Sequence, residues 1–470
     1  MVAPMRNTIV VTSLAALAAC AGGAPITEAD RAILEQADAI AAKVSAAREL
    51  PLKRPIAKEV MAREELGAML ERELEGEDGK KEIDAEQRFL RAVGLLPRDS
   101  DLGALYRALL GSQIAGYYDP KDRTLRCISS DIAVLQRLTL VHEIYHGLQD
   151  QYFPLDPLMK GAEGVDLTND AARARQALVE GDAQHFTMSV YAAQHADEIR
   201  SDVANESGRE LFGFGLEQAL AQAAMPPYFL ENLGWAYTAG AEFVAAVRAD
   251  MGWAGVAEAF AKPPRSTEQI VHPEKYLRGG DEPIAVVAAA PAFARGWREL
   301  GRDTQGEATI AALLGNLGQD PIRAKRGSQG WGGDQALILE TPAGAELLVW
   351  RLAWDSENDA AEFFAAWRRV LTQELDRSPP GRAHFVGERD LKTGSLEPVG
   401  RDAPPIPAAW REAIALPDGS KLAVGESGDG TLSLLFSRGR GVVLLRGAIA
   451  EAVAPNRVAA LAEELFGQAK

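Results

Sequence analysis

The sequence predicts an α+β protein built in two unlike halves, a mostly helical one followed by one of strands with helices packed on a face. Three observations carry that prediction. Apolar residues recur at helical spacing through most of residues 26–260. A single stretch of that half, 114–128, bears a β-hairpin signature. From about residue 286 the order strand, strand, helix occurs twice, as in an antiparallel sheet with helices on one side. Residues 1–19 read as a signal peptide, 20–47 as a tether and first helix, 48–285 as the main helical domain and 286–470 as an α+β domain.

Residues 26–47 show a helical repeat. Residues 48–112 follow with an extended piece from Arg54 to Val60 and several helices separated at Glu77-Asp78-Gly79 and Pro97-Arg98-Asp99-Ser100. The hairpin pairs Ile114-Ala115-Gly116-Tyr117-Tyr118 with Thr124-Leu125-Arg126-Cys127-Ile128 around the turn Asp119-Pro120-Lys121-Asp122. It delivers the chain into a helix capped by Ser130 or Asp131 and running to about residue 150. Helices are expected over 171–195, 206–223 and 234–260, the last stopped by Lys262-Pro263-Pro264.

In the second half, strands are expected near 335–341 and 346–352 before a helix at 357–374. Strands near 420–425, 431–437 and 441–446 precede a helix at 455–467. Ser356 with Asp359 makes a capping box, and Pro455 suits a first helical turn. Gly330-Trp331-Gly332-Gly333-Asp334 lacks the lysine and the following helix of a phosphate-binding loop and reads as a tight turn. No cluster of catalytic residue types marks this half, and His384 stands alone, so it reads as a binding or packing module.

With 470 residues and 47% hydrophobic content, the chain has material for sizeable cores. A net charge of −17 disfavours nucleic acid and anionic lipid as partners, because no basic patch offsets the repulsion. The acidic run Glu64, Glu65, Glu71, Glu73, Glu75 and Glu77 reads as solvated helix faces. At the N-terminus, Arg6 precedes an apolar stretch from Thr8 to Ala19, too short to span a bilayer and of the length of a secretory signal core. It ends in Leu17-Ala18-Ala19-Cys20, which resembles a bacterial lipobox, with Cys20 as the lipidated first residue and Ala21-Gly22-Gly23-Ala24 as a flexible tether. The expectation is a protein held in the bacterial cell envelope by lipid on Cys20, in the outer membrane facing the periplasm or at the cell surface. Cys127 is then the one cysteine left, and no internal disulfide supports the fold.

Residues 142–146 read His-Glu-Ile-Tyr-His. On a helix, positions four apart lie about 40° from each other around the axis. His142 and His146 can therefore turn two ring nitrogens to one metal ion, with Glu143 placed to act on a water as general base. Leu140, Val141, Ile144 and Leu148 supply the apolar positions of that helix. A catalytic zinc needs a third protein ligand and an open position. Glu180, in Ala177-Leu178-Val179-Glu180-Gly181-Asp182-Ala183, lies on an otherwise apolar face where an unpaired carboxylate would be costly. Gly181 beside it permits close helix packing, and Asp182 and His185 are rival ligands.

His-Glu-x-x-His with a downstream glutamate resembles the gluzincins, the thermolysin-like zinc peptidases. The metzincin pattern is excluded, since Gly147 falls early and Tyr152 stands where its last histidine would be. The gap between the two site helices is longer than in thermolysin, and Gln184 stands where a carboxylate is found there; Asp182 and Asp150 are candidates for orienting His142. A wider likeness runs through Ala115 to Pro120, His142 to Gln151, Ala177 to Ala183, Pro264 to Tyr276 and Gly330 to Asp334. It is to a family of exported bacterial proteins regarded as zinc metallopeptidases, from which no substrate carries over.

The resemblance implies a zincin-like domain over 48–285 with one catalytic Zn2+ on His142, His146 and Glu180, and a peptide or protein substrate. It makes the hairpin a sheet edge on which a peptide lies as an added strand, with Gly116 and Tyr117 as substrate contacts; a purely structural edge is the other reading. His272, in the polar segment Ser266 to Tyr276, is a candidate donor to a developing oxyanion, and Tyr237 and Tyr276 are further candidates. The function expected is a membrane-anchored zinc metallopeptidase of the cell envelope. The rivals are a non-catalytic lipoprotein that binds through its C-terminal half and a hydrolase of a non-peptide amide. Glu143 favours an enzyme, because a purely structural metal site needs no base there.

Overall fold

The computed structural model describes residues 28–110, 116–128, 134–161, 167–197, 226–279, 281–377, 385–399 and most of 405–467. The signal stretch with Cys20, residues 114–115, the caps Ser130 and Asp131, the helix expected over 206–223, and His384 lie outside the described residues. The architecture is α+β. A helical N-terminal half holds a three-stranded sheet, and the C-terminal half is built on eight antiparallel strands with helices. Among the described residues, no helix is long and apolar enough to cross a membrane.

The chain begins with α1 (Glu28–Arg48), β1 (Ala57–Met61), α2 (Arg63–Glu75), α3 (Glu77–Ala92) and α4 (Leu102–Leu110). The hairpin β2 (Gly116–Asp119) and β3 (Thr124–Ile128) pairs Gly116 with Cys127 and Asp119 with Thr124. Asp119 and Asp122 shape its turn by accepting from the amides of Lys121 (2.9 Å) and Thr124 (3.0 Å). β1 adds parallel to β3, which leaves β2 at an edge. Cys127 is free and buried, as its isolation in the sequence implies.

The motif helix is α5 (Val134–Tyr152), followed by α6 (Leu155–Lys160) and α7 (Asn169–His185), which runs on into a π-helical turn at Phe186–Tyr191. α8 (Pro227–Ala261) breaks at Gly252, whose φ of +67° is outside the helical region. α9 (Thr267–Val271) and α10 (Pro273–Arg278) close this half. α7 and α8 cross backbone against backbone. A Cβ on Gly181 would overlap Gly240, and one on Gly240 would overlap the Ala177 carbonyl. Ala174, Ala177 and Leu178 of α7 are buried there with Phe243, Val244 and Val247 of α8.

The C-terminal half comprises β4 (Arg298–Asp303), α11 (Gly306–Asn316), α12 (Pro321–Ser328), β5 (Trp331–Glu340), β6 (Glu346–Trp354) and α13 (Glu357–Arg377). β7 (Phe385–Arg389), β8 (Leu396–Pro398), β9 (Lys421–Glu426), β10 (Leu432–Arg438), β11 (Gly441–Gly447) and α14 (Val458–Gly467) complete it. The sheet order β4-β5-β6-β11-β10-β9-β7-β8 joins the two expected strand-strand-helix units through β6 and β11. The capping box holds, with the Asp359 amide donating to Ser356 Oγ at 3.2 Å.

Two expectations fail here. The helices do not share one face: Phe363 and Trp367 of α13 pack with Ile338 and Trp350, whereas Val458 and Leu461 of α14 pack with Leu337 and Val349. Strands such as Ala336-Leu337-Ile338-Leu339 are apolar at every position, so both faces had to be covered. Nor is Gly330 to Asp334 a tight turn. Only Gly330 (φ +73°) turns, and Trp331 already begins β5 with a bulge before Gly333. Phe89, Leu90 and Tyr106, from α3 and α4, pack with Trp331, Trp350 and Trp367 in one core that both halves share.

Candidate metal centre

α5 exists as a helix because Val141, Ile144 and Leu148 are buried on it, which turns His142 and His146 to α7. His142 Nε2 and His146 Nε2 stand 3.1 Å apart. Glu180 Oε2 lies 3.0 Å from the first and 3.3 Å from the second. All three residues are buried, at 7%, 6% and 7% exposure. A tetrahedral zinc with bonds of about 2.0–2.2 Å spaces neighbouring donor atoms roughly 3.3–3.5 Å apart. The observed triangle is close to one face of such a tetrahedron. The three ligand atoms lie within reach of a common point, and this group can hold a metal ion.

The electrostatics say the same. Burial alone would raise Glu180, yet the two histidines outweigh it and hold the carboxylate well below its usual range. Burial lowers His146, but Glu180 and Glu143 overcome it and the ring is pushed up to about 9. A proton therefore occupies the triad when no metal does, and a metal ion must displace it.

Glu143 points to the same place from the hairpin side. Its Oε2 accepts from the backbone amide of Tyr118 at 2.8 Å. That amide is free to do so because β2 is an edge strand. Burial raises the Glu143 pKa, and the pull of the two histidines does not cancel the rise. A carboxylate so placed is suited to taking up a proton.

Tyr237 is brought in by the crossing of α7 and α8, one turn before Gly240. Its ring lies 5.6 Å from that of His142, and burial together with the nearby Glu180 and Glu143 carboxylates raises its hydroxyl well above the ordinary range. The remaining candidates lie elsewhere. Asp150 does not orient His142: it accepts from the Tyr118 hydroxyl (2.9 Å) and the Leu155 amide (2.8 Å), tying hairpin, α5 and α6 together. Asp182 is no ligand and does not touch His142; its Oδ2 accepts from Tyr145 (3.0 Å) and Gln149 (2.9 Å). His185 is 3.1 Å from Arg248 rather than in the triad. Among the described residues, His272 contacts Glu307 (3.0 Å) and Glu274 (3.9 Å) and no member of the triad. Tyr276 donates to the Lys262 carbonyl (2.9 Å) and packs on Phe243. The Tyr117 hydroxyl donates to Met69 Sδ at 3.2 Å, on the opposite side of β2 from Tyr118, and Gly116 contributes backbone to that strand.

The sequence reading missed Gln149, whose Oε1 is 2.9 Å from His146 Nδ1. A signal existed: Gln149 follows a ligand histidine by three positions and so shares its helix face.

Residues 288–394 match the model of a domain of unknown function (DUF8575), a match confined to the C-terminal half and clear of the triad. No curated protein and no solved structure matches the chain.

Proposed function

We propose that this protein is a zinc metallopeptidase of the gluzincin type, with a zincin-like N-terminal half, that cleaves peptide bonds in the cell envelope. The observation that carries the reading is the buried His142, His146 and Glu180 triangle with Glu143 fixed beside it by an edge strand. Bound there, zinc supplies a Lewis acid that polarises a carbonyl and acidifies water to a pKa of about 7. Glu143 takes a proton from water and later gives it to the leaving amine. The Tyr118 amide holds one oxygen of that carboxylate and leaves the other for proton exchange. Tyr237, beside Glu180, serves as donor to the developing oxyanion, a role His272 cannot fill while bonded to Glu307. The peptide lies along β2 as an added strand, against backbone groups of Gly116–Tyr118 other than the Tyr118 amide, which Glu143 holds.

The test is hydrolysis of a diverse peptide library by the purified protein, abolished by chelator and restored by zinc. If the zinc-loaded protein cleaves nothing in it, the reading as a peptidase falls and a binding lipoprotein or a hydrolase of other amides takes its place. Lipid on Cys20 is proposed as the membrane anchor. Cys20→Ser should release the protein from membranes or leave its precursor unprocessed, and continued need of detergent for extraction would refute the anchor.

A further inference from the structure

Four side chains behind the triad form a chain of hydrogen bonds that reaches the first helix. Arg48, the last residue of α1, donates through Nε to the Tyr145 hydroxyl at 2.9 Å. Tyr145 donates to Asp182 Oδ2 at 3.0 Å. Gln149 Nε2 donates to the same Asp182 oxygen at 2.9 Å and to the Val179 carbonyl at 3.2 Å. Gln149 Oε1 then meets His146 Nδ1 at 2.9 Å. Arg48, Tyr145, Gln149 and Asp182 are each less than 5% exposed, so water does not compete with these bonds.

Each link permits one polarity only. A guanidinium can only donate, so the Tyr145 oxygen accepts and its proton must go on to Asp182. The Val179 carbonyl can only accept, so the amide nitrogen of Gln149 faces it and, with it, Asp182 Oδ2. Its oxygen is thereby turned to His146, whose Nδ1 must carry the proton. Nε2 is then the nitrogen whose lone pair that ring offers to a metal, and it stands 3.1 Å from His142 Nε2 and 3.3 Å from Glu180 Oε2. Arg48 is itself clamped, its guanidinium lying 3.6 Å over the Trp253 ring just past the break in α8.

We infer that Arg48, Tyr145, Asp182 and Gln149 are a positioning relay that fixes His146 in its metal-binding tautomer and makes metal affinity depend on the docking of α1. The inference rests on the metal reading of the triad and not on peptide hydrolysis. It gives α1 a role in the site rather than that of a tether alone. It also explains why Asp182, two positions after Glu180, is buried without touching the triad.

The test is zinc affinity of the full chain, measured by competition with a chromogenic chelator. Gln149→Leu should weaken zinc binding about 10- to 100-fold, the usual cost of losing a partner behind a metal ligand. Arg48→Met should weaken it in the same direction by less, and Arg48→Lys, which keeps a cationic donor, should recover most of the loss. Phe153→Leu, which loosens the stack on Phe260, should lower Tm with zinc affinity unchanged, separating the relay from general destabilisation. A second readout needs no metal: the Nδ1 proton of His146 should exchange slowly in histidine-labelled protein by NMR and be lost in Gln149→Leu. Wild-type affinity in both Gln149→Leu and Arg48→Met, or a fast-exchanging Nδ1 proton in the wild type, overturns the relay. Failure of the metal reading looks different, since wild-type protein would then take up no zinc while the Nδ1 proton stayed protected.

Discussion

Two clusters among the described residues bring acidic or metal-ligating side chains together, and they differ in what fills the centre. At α5 and α7, His142, His146 and Glu180 converge with one ligand atom each and no lysine or arginine between them. At α9 and α10, Glu268, Asp281 and Asp355 gather with similar closeness. There the Lys275 ammonium stands at the centre, 2.7 Å from Glu268, 2.7 Å from Asp281 and 2.9 Å from Asp355. The second cluster carries its own cation and is a salt-bridge knot between the halves. The first does not, and must take a proton or a metal from outside. Convergence of acceptors is thus not enough to mark a metal site; the absence of a resident cation is the discriminating feature.

The largest effect expected from this contrast is on chemistry. Glu143→Gln should leave zinc content intact while lowering hydrolysis about 10²- to 10⁴-fold, as loss of a general base does. Turnover of any identified substrate at the wild-type rate would take Glu143 out of the mechanism. Next comes Glu180→Ala, which opens the triangle. Zinc per chain, measured by atomic absorption, should fall well below stoichiometric, and Tm should fall with it. The Tm difference from wild type should vanish in chelator, and stoichiometric zinc in the variant would move the third ligand elsewhere.

Lys275→Met tests the other cluster. It should leave zinc and hydrolysis unchanged but cost about 1–3 kcal/mol of stability, less than a fully buried pair because Lys275 and two of its partners are partly exposed. Denaturant titration reads this, and millimolar divalent cation should restore part of it in the variant alone. An unchanged midpoint would break the comparison. The last test concerns Glu86, a fully buried carboxylate that accepts from Tyr106 at 2.8 Å and feels Arg173 only through its charge. Burial pushes its pKa up to about 7 from an ordinary value of 4.5. A value raised in the folded state gives stability that is full below about 4.5 and is lost as pH rises through about 7. Glu86→Gln should therefore be close to wild type at pH 4.5 and exceed it at pH 8 by about 3 kcal/mol in chemical denaturation, and parallel pH profiles would contradict it.

The site was legible where chemistry is written within a turn of helix or at a conspicuous cost. His142 and His146 share a face by spacing alone, and Glu180 stands out because a carboxylate among Ala177, Leu178 and Val179 has to be paired. Gly181 announced close packing, and α7 and α8 do cross there. His272 and Tyr276 stand out in the sequence only by the density of polar groups in one segment, which says nothing of partners; in the fold Glu307 and the Lys262 carbonyl claim them. A carboxylate near the C-terminal end of a helix, as Asp150 is, is misplaced against the helix dipole. It stays so until the Tyr118 hydroxyl and Leu155 amide arrive from other elements.

What the sequence alone determined is the local order: the α+β division, the hairpin, the capped helices and the two histidines on one turn. These follow from apolar spacing, turn chemistry and helix pitch, all of which act within a few residues. Tertiary structure alone decided which acceptors meet a cation and which find a lysine. It also decided that Tyr237 rather than His272 stands at the triad. The bonds that settle these matters join residues 38, 80 and 97 positions apart, as in His142 with Glu180, Lys275 with Asp355 and Arg48 with Tyr145. No periodicity in the chain encodes such pairs; they form only when the helices have packed and the water between them is gone.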